Sequence, residues 1–337
     1  MKEYTLLFAL LCASITITAA QNKADFKIAN NFHIKSAGGW DYLAVCPDNN
    51  RLYVSHGGQV NVLDKTTGDS LGVIANTLGV HGITFIPSLN KGYTSNGRAN
   101  NVSVFDLKTN VVSEQIATGE NPDAIMYEPF SKTIITCNGK SKDLSVIDPT
   151  TNKVIATVPI GGKPETAVSD EAGKLYVNNE DKNEIAVVDL KTFKVINNWT
   201  IAPGEAPTGL AIDLKTKRLF AGCKKLLVVV NAENGKIVDK LTIGDGCDGV
   251  AFDNKTKQIF TSNGEGTMTI IEEKSGDSFT ISATIPTKKA ARTIYLDEST
   301  HTLYLPTADF EPKKEGDDPK ARAKMIVGSF QILVVRQ

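Results

Sequence analysis

The chain has 337 residues, and its 37 basic and 38 acidic side chains leave a formal net charge of −1 at pH 7. This balance gives no global reason for the protein to bind nucleic acid or an anionic membrane surface, although a local patch stays open. Length alone predicts about two domains, but internal repeats override that estimate.

The N-terminus carries the pattern of a secretory signal peptide. Lys2 precedes a short apolar run, LLFALLCASITI, which is followed by the small residues Thr-Ala-Ala ending at Ala20. The run is too short to span a bilayer, and no later stretch is long or apolar enough to do so. We therefore expect residues 1–20 to be cleaved as a signal peptide and residues 21–337 to form a periplasmic or secreted protein without a membrane span.

One sequence pattern recurs along the rest of the chain. Its clearest copy, KLYVNNEDKNEIAVVDL at residues 174–190, predicts two strands joined by a polar hairpin loop, with apolar and polar residues alternating in the second strand. The other copies begin at Arg51, Lys91, Thr133, Arg218, Gln258 and Thr302. Adding an inner strand before each copy and an outer strand after it gives four antiparallel strands in ~40–45 residues, which is the unit of a β-propeller blade.

The inner strands begin after turns that contain glycine or proline, and seven such positions are present. We call them the ring residues: Asp41, His81, Asp123, Glu165, Thr208, Asp248 and Arg292. Successive ring residues are 40–44 positions apart, which favours one closed ring over a linear β-solenoid. The sequence therefore predicts an all-β fold, a seven-bladed β-propeller of four-stranded antiparallel blades, as a single domain over residues 21–337.

The last repeat supplies only three of its four strands, within Thr293–Leu296, Thr302–Leu305 and Ser329–Arg336. The segment Phe26–Lys35 (FKIANNFHIK) resembles the outer strands of the other repeats. We therefore expect the N-terminal strand to complete the last blade and close the ring, which removes open sheet edges. A charge-rich insertion at residues 308–328 interrupts the last blade, and it is either a solvated spacer or a functional loop.

Four aspartates open the turns into the outer strands: Asp64, Asp106, Asp148 and Asp189. An aspartate in this position accepts hydrogen bonds from backbone N–H groups two or three residues later, which closes the turn. We therefore predict a structural role for these four residues rather than a catalytic one.

The phrases LYVSH, GYTSN and LYVNN, each followed by V-x-V-x-D or a close variant and then a G-x-x-P or G-x-x-D turn, resemble the YVTN repeat. Over essentially the whole mature chain the pattern is similar to the YncE-like group of bacterial periplasmic and cell-surface propellers. The resemblance implies a seven-bladed exported protein that is non-catalytic or without an assigned activity. It also implies alternatives, since some relatives bind single-stranded DNA and related propellers serve as surface-layer modules, redox-enzyme subunits or lactonases.

The inner strands of a propeller line its central channel, so the ring residues should surround one mouth of that channel. A second row should reach the same face from the ends of the following strands: His56, Asn96, Asn138, Asn179, Cys223, Asn263 and Thr307. We expect these mostly polar side chains to form a ligand-binding site. The alternative for the asparagines is that they hold loops, whereas the chemical variety of the ring residues favours a binding role.

Four of the ring residues are carboxylates of the type that binds a hard cation, and His56 and His81 could add ligands for zinc or copper. Seven-fold geometry should nevertheless spread these groups around the channel, and Arg292 should pair with Asp248 or Asp41. The sequence therefore assigns no metal and requires no cofactor, and a divalent cation stays open.

Five cysteines are present. Cys12 would fit a lipoprotein signal, but Leu11 stands where such signals carry a small residue. Cys223 and Cys247 should lie close together on adjacent blades, where a disulfide closing ~25 residues would add on the order of 3 kcal/mol in the chain-entropy model. Two reduced thiols are the alternative.

Motifs of the common enzyme classes are absent from the sequence, which has no G-x-S-x-G, H-E-x-x-H or P-loop. We therefore predict an exported, monomeric binding or scaffold protein that recognises a small-molecule or protein partner at the channel mouth. One alternative is a cation-dependent, lactonase-like hydrolase or a redox-associated propeller subunit. The other is a single-stranded nucleic-acid binder, for which Trp40 and scattered basic residues argue, although the acidic ring would repel phosphates.

Overall fold

The computed structural model describes residues 25–312 and 323–337, and strands account for nearly all regular structure in these two ranges. The strands form seven antiparallel sheets of four strands each. Two short 3₁₀ helices, Pro87–Leu89 and Glu180–Lys182, are the helical segments of the described chain. None of its helices is long and apolar enough to cross a membrane. The predicted signal peptide, residues 1–20, lies outside the described residues.

Each sheet is one blade, and in six of the seven blades the strands follow one another in chain order from the inner to the outer edge. Blades 1 to 3 comprise β2 (Trp40–Val45), β3 (Arg51–His56), β4 (Gln59–Asp64) and β5 (Ser70–Ile74); β6 (Val80–Ile86), β7 (Lys91–Asn96), β8 (Asn101–Asp106) and β9 (Val112–Ala117); and β10 (Pro122–Glu128), β11 (Thr133–Asn138), β12 (Asp143–Asp148) and β13 (Lys153–Pro159).

The remaining blades follow the same plan. Blades 4 to 6 comprise β14 (Pro164–Ser169), β15 (Lys174–Asn179), β16 (Glu184–Asp189) and β17 (Lys194–Thr200); β18 (Leu210–Asp213), β19 (Arg218–Cys223), β20 (Leu226–Asn231) and β21 (Ile237–Thr242); and β22 (Cys247–Asp253), β23 (Gln258–Asn263), β24 (Thr267–Ser275) and β25 (Ser278–Pro286). Blade 7 comprises β26 (Tyr295–Asp297), β27 (Thr302–Thr307), β28 (Gln331–Arg336) and β1 (Lys27–His33). The predicted seven-bladed propeller is confirmed.

The hydrophobic core is a ring of clusters between neighbouring blades, and β15 shows how the sequence builds it. Leu175 and Val177 face blade 3, whereas Tyr176, which lies between them, faces blade 5. Successive side chains of a strand point to opposite faces of the sheet. Both faces of a middle strand are covered by other blades, so LYV is apolar at every position instead of alternating.

The N-terminal strand closes the ring as predicted. β1 pairs antiparallel with β28, matching Ile28 with Val335 and Phe32 with Ile332. Phe32 is buried in the cluster between blades 7 and 1, and Phe26 packs edge-on against Phe260 with 5.2 Å between ring centroids. The first and last described strands therefore share one sheet, and both of its faces are covered.

Polar contacts between neighbouring blades reinforce the face opposite the ring residues. The Lys257 ammonium donates to buried Asp213 at 2.9 Å, and Lys65 of blade 1 donates to Asp297 of blade 7 at 2.8 Å. Burial opposes ionisation of Asp213, but its hydrogen bond from Lys257 lowers the pKa of the carboxyl to about 2. These contacts tie the end of an inner strand to a turn of the adjacent blade.

The aspartates that open the outer turns have the predicted structural role. The carboxylate of Asp64 accepts the backbone N–H groups of Thr66 and Thr67 at 2.8 and 2.9 Å. These bonds lower the pKa of Asp64. Equivalent turns are closed by Asp106, Asp148 and Asp189.

The insertion at residues 308–328 lies between β27 and β28, as the sequence predicts. Its described base is an isolated antiparallel β-bridge between Phe310 and Met325. The Glu311 backbone N–H donates to the Lys324 carbonyl at 2.8 Å. The ring centroids of Phe310 and Trp40 are 6.2 Å apart. Trp40 begins β2 next to the ring residue Asp41, so the base of the insertion contacts the face that carries the ring residues.

Candidate functional site at the channel mouth

A cavity of about 520 Å³ opens at one end of the central channel. All seven ring residues line it: Asp41, His81, Asp123, Glu165, Thr208, Asp248 and Arg292. In two blades the ring residue precedes the inner strand, because β18 begins at Leu210 and β26 at Tyr295. The structure thus brings together side chains that lie 40–44 positions apart in sequence.

Polar side chains on the second strands fix the backbone of the ring. Ser95 on β7 donates to the carbonyl of Asp123 in the next blade. Asn178 on β15 donates to the carbonyl of Thr208 at 3.0 Å. Ser262 on β23 likewise donates to the backbone carbonyl of Arg292 in the next blade. In the sequence, each of these donors is the residue before the last asparagine of a TSN or VNN phrase.

Glycine at position 82 allows the strands of blades 2 and 3 to approach closely. A Cβ atom there would lie 2.8 Å from Cγ2 of Ile125 and 3.0 Å from its backbone nitrogen. Contacts this short do not occur between real side chains, so a larger residue would push β6 away from β10. Gly82 therefore helps to bring its neighbour His81 next to Asp123.

The charges that line the cavity are unequal in number. Five carboxylates face three permanently charged bases and one histidine: Asp41, Asp123, Glu165, Glu180 and Asp248 against Arg98, Lys163, Arg292 and His81. Arg292 forms an ion pair with Asp248, as the sequence analysis proposed, and lies 3.6 Å from Asp41. Lys163 pairs with both Glu165 and Glu180.

Asp123 is the carboxylate that receives no hydrogen bond from these bases. Its Oδ1 atom is fully buried and has no hydrogen-bond partner among the described residues. Burial and the negative charge of Asp41 raise the pKa of Asp123 to about 6. Burial and the charge of Asp123 in turn raise the pKa of Glu165 to about 8, although Lys163 opposes this effect. When all five carboxylates are ionised, the site therefore carries more negative charge than its own cations neutralise.

His81 bridges the two aspartates of blades 1 and 3. Its Nδ1 atom lies 2.6 Å from Oδ2 of Asp41 and 3.8 Å from Oδ1 of Asp123. Burial alone would lower the pKa of His81, but the hydrogen bond with Asp41 and the charge of Asp123 raise it above the usual value. The second distance is too long for a hydrogen bond.

The second row of predicted site residues lies inside the blades and does not line the cavity. Asn96 is fully buried, and its Nδ2 donates at 2.8 Å to Asn101 and Ser103 of the adjacent strand. Asn138 and Asn263 make the equivalent bonds in blades 3 and 6. Asn179 is also buried. The prediction that these asparagines open onto the mouth is corrected, because the strand ends turn their amides toward the next strand of the same blade.

His56 has a similar structural placement. The ring is fully buried, stacks on Phe330 at 4.2 Å, and contacts Ser36 Oγ at 2.9 Å and the Gly38 carbonyl at 3.1 Å. Burial lowers the pKa of His56. It therefore supports the loop before β2 instead of lining the cavity.

Several cavity residues were not identified as site residues from the sequence. Lys163 comes from the GGKPE turn, Glu180 follows the end of β15, and Tyr42 follows Asp41 on β2. Tyr42 also borders a second, largely apolar cavity of about 180 Å³, which is lined by residues further along the inner strands. The channel is thus polar at this mouth and apolar deeper inside.

The two cysteines for which a disulfide was considered are free thiols in the structure. Cys223 ends β19 and Cys247 begins β22 in the adjacent blade, and both are buried. Burial raises the pKa of each thiol to about 12. Each sulfur lies 3.6 Å from a backbone carbonyl oxygen, of Ala221 and Gly249 respectively.

Among the solved structures that match this fold is one titled Kuenenia stuttgartiensis Hydrazine Synthase. The two chains superpose with a TM-score of 0.70 over 81% of this chain and 94% of that chain, at 16% sequence identity. The chain shares the propeller fold of that protein. No family model matches the sequence, and no curated protein does so either. Identity this low shows the fold alone, so the residues at the mouth must carry any functional argument.

Proposed function

We propose that the protein is an exported β-propeller binding module that holds the positively charged group of a small ligand or partner at the channel mouth. The observation that carries this proposal is the buried, unpartnered Oδ1 atom of Asp123. A buried carboxylate oxygen without a hydrogen bond is costly, and a positively charged group bound beside it would remove that cost. The resemblance to the YncE-like propellers supports export and a non-catalytic role.

The charge balance favours a cationic group over an anionic one. Arg292 and Lys163 are already engaged by Asp248, Glu165 and Glu180, so neither is free to attract an anion. Arg98 lines the cavity but is exposed, and water screens its charge. The most deeply buried charge without a partner is therefore the negative charge of Asp123, which would attract a cation and repel a phosphate group.

The dimensions of the cavity also fit a ligand site. Its volume of about 520 Å³ falls within the ~300–1,000 Å³ typical of small-molecule pockets. Residues from all seven blades contribute to its wall, on or next to the inner strands, so the site is held on a rigid framework. Such preorganisation lowers the entropic cost of binding.

A thermal-unfolding titration tests this proposal. Agmatine, which carries an amine and a guanidinium group, should raise the melting temperature of the wild-type protein. Binding to the folded state alone adds about 2.7 kcal/mol to the free energy of unfolding when the ligand concentration is 100 times the Kd. Glutarate, a dianion of similar length, should have no effect at equal ionic strength. Asp123→Asn should abolish the response to agmatine.

A matched control is the substitution Asp48→Asn. Asp48 is exposed in the turn between β2 and β3, at the other end of the strand that carries Asp41. It removes the same charge from the protein without touching the cavity, so the agmatine response should persist. An equal agmatine response in Asp123→Asn and in the wild type would refute the proposed site.

A further inference from the structure

Three potential metal ligands from three consecutive blades converge at the channel mouth. Asp41, His81 and Asp123 each offer one ligand atom, and these atoms all lie within 4.8 Å of one another. The sequence predicts that seven-fold geometry keeps such groups apart, and the structure differs from this expectation. They meet because the inner strands of blades 1, 2 and 3 pack closely, which Gly82 permits.

The spacing of the ligand atoms is close to that of a coordination sphere. In a tetrahedral zinc site, bonds of ~2.0–2.2 Å to nitrogen and oxygen place neighbouring ligand atoms about 3.3–3.6 Å apart. The distances from His81 Nδ1 are 2.6 Å to Asp41 and 3.8 Å to Asp123. The Asp41 and Asp123 ligand atoms also lie within 4.8 Å of each other, so shifts on the order of 1 Å would place all three atoms around one ion, within the reach of side-chain rotation.

We propose that Asp41, His81 and Asp123 bind one divalent transition-metal ion of the zinc class, with its remaining coordination positions open to the cavity. This inference rests on the proposed function, since the metal would be the cation that the mouth holds. An observation independent of the clustering points the same way: Oδ1 of Asp123 is fully buried, faces this group, and has no hydrogen-bond partner in the described chain.

The ligand set favours a transition ion over calcium or magnesium. One imidazole nitrogen with two carboxylates suits zinc-type ions, whereas calcium takes six to eight oxygen ligands and magnesium is held mainly by oxygens and water. The two carboxylates balance the charge of a divalent ion. Two aspartates and a histidine leave at least one position free, so a ligand from the cavity could complete the coordination sphere.

Neighbouring residues orient the ligands in the way that metal sites require. Arg292 lies 3.6 Å from Oδ1 of Asp41 and leaves its other oxygen for His81 or a metal. A Cβ atom at position 97 would lie 2.6 Å from Nε2 of His81, so Gly97 provides the space that this imidazole occupies.

Isothermal titration of chelator-treated, mature protein with zinc chloride tests the inference. The wild type should bind one equivalent, and Asp123→Asn and His81→Gln should each weaken binding by about 100-fold or more, beyond the usual effect of outer contacts. Asp48→Asn should bind as the wild type does. Cobalt(II) at one equivalent should give visible d–d absorption that His81→Gln alters.

Failure of this inference can be told apart from failure of the proposed function. The metal site is overturned if the wild type does not bind zinc, or if both site variants bind zinc as tightly as the wild type does. If agmatine still stabilises the wild type and not Asp123→Asn, the mouth binds organic cations and the proposed function stands. If neither cation distinguishes the two proteins, both proposals fail. Thermal melts verify the folding of each variant, and if His81→Gln does not fold, Asp123→Asn decides the outcome.

Discussion

Deletion of residues 23–35 is expected to abolish the folded monomer. This segment contains β1, the fourth strand of blade 7, and it buries Phe26, Phe32 and Ile34. Full burial of each such side chain stabilises a protein by about 1.5–3 kcal/mol, so the three together approach the ~5–15 kcal/mol that separates most folded proteins from the unfolded state. The deletion also leaves β28 with an open edge that other chains can pair with.

Size-exclusion chromatography with light scattering, together with thermal melting, measures this result. The truncated protein should elute as oligomers or aggregates and should lack a cooperative melt near that of the wild type. A synthetic peptide covering residues 25–35 should restore part of the monomer by pairing with β28. A truncated protein that remains monomeric with an unchanged melting temperature would show that ring closure does not depend on this strand.

The second large effect is a gain of stability when the charge of Asp123 is removed by a substitution that keeps the size of the side chain. Asp123→Asn should raise the free energy of unfolding at pH 8, because the amide keeps the shape of the side chain and removes an uncompensated buried charge. The shift of the Asp123 pKa from 3.8 to about 6 corresponds to about 2–3 kcal/mol. Such a gain in a binding site is the expected trade between stability and function.

The sign of the pH dependence follows from the direction of the shift. The folded-state pKa of Asp123 is raised, so its neutral form contributes stability below about pH 4, and this contribution is lost as the pH rises through about 6. The difference between Asp123→Asn and the wild type should therefore be near zero at pH 4 and reach its full size above pH 7. Chemical denaturation of chelator-treated protein measures it, with Asp48→Asn as the control. An Asp123→Asn variant less stable than the wild type at pH 8 would mean that the carboxylate is satisfied in the fold.

The fold was predictable because the strand pattern of one blade recurs several times along the sequence. The phrase LYVNN at β15 encodes a strand buried on both faces, and its copies recur at a nearly constant interval. Ring closure was predictable for the same reason, since Phe26–Lys35 repeats the pattern of an outer strand. Turn aspartates such as Asp64 were predictable from local backbone chemistry alone.

The site was only partly predictable, because its details depend on contacts between blades. The sequence indicates which residues begin the inner strands, and these line the cavity. It does not indicate that Asn96 turns into its own blade, since the strand end is followed by polar partners that only the folded hairpin brings near. Nor does it reveal that Asp41, His81 and Asp123 converge, which requires the close approach of three strands 40 and 42 residues apart.

The most direct test of the account is the pKa of the Asp123 side chain in metal-free protein. Selective ¹³C labelling of aspartate carboxyl carbons, with Asp123→Asn to assign the resonance, gives this value by NMR titration. We expect a pKa near 6 in the free protein and a decrease of about one unit or more when agmatine or zinc neutralises the site. A pKa below 4 that neither cation changes would show that the Asp123 carboxylate already has a partner in the fold. That result would contradict the proposal that the channel mouth binds a cation.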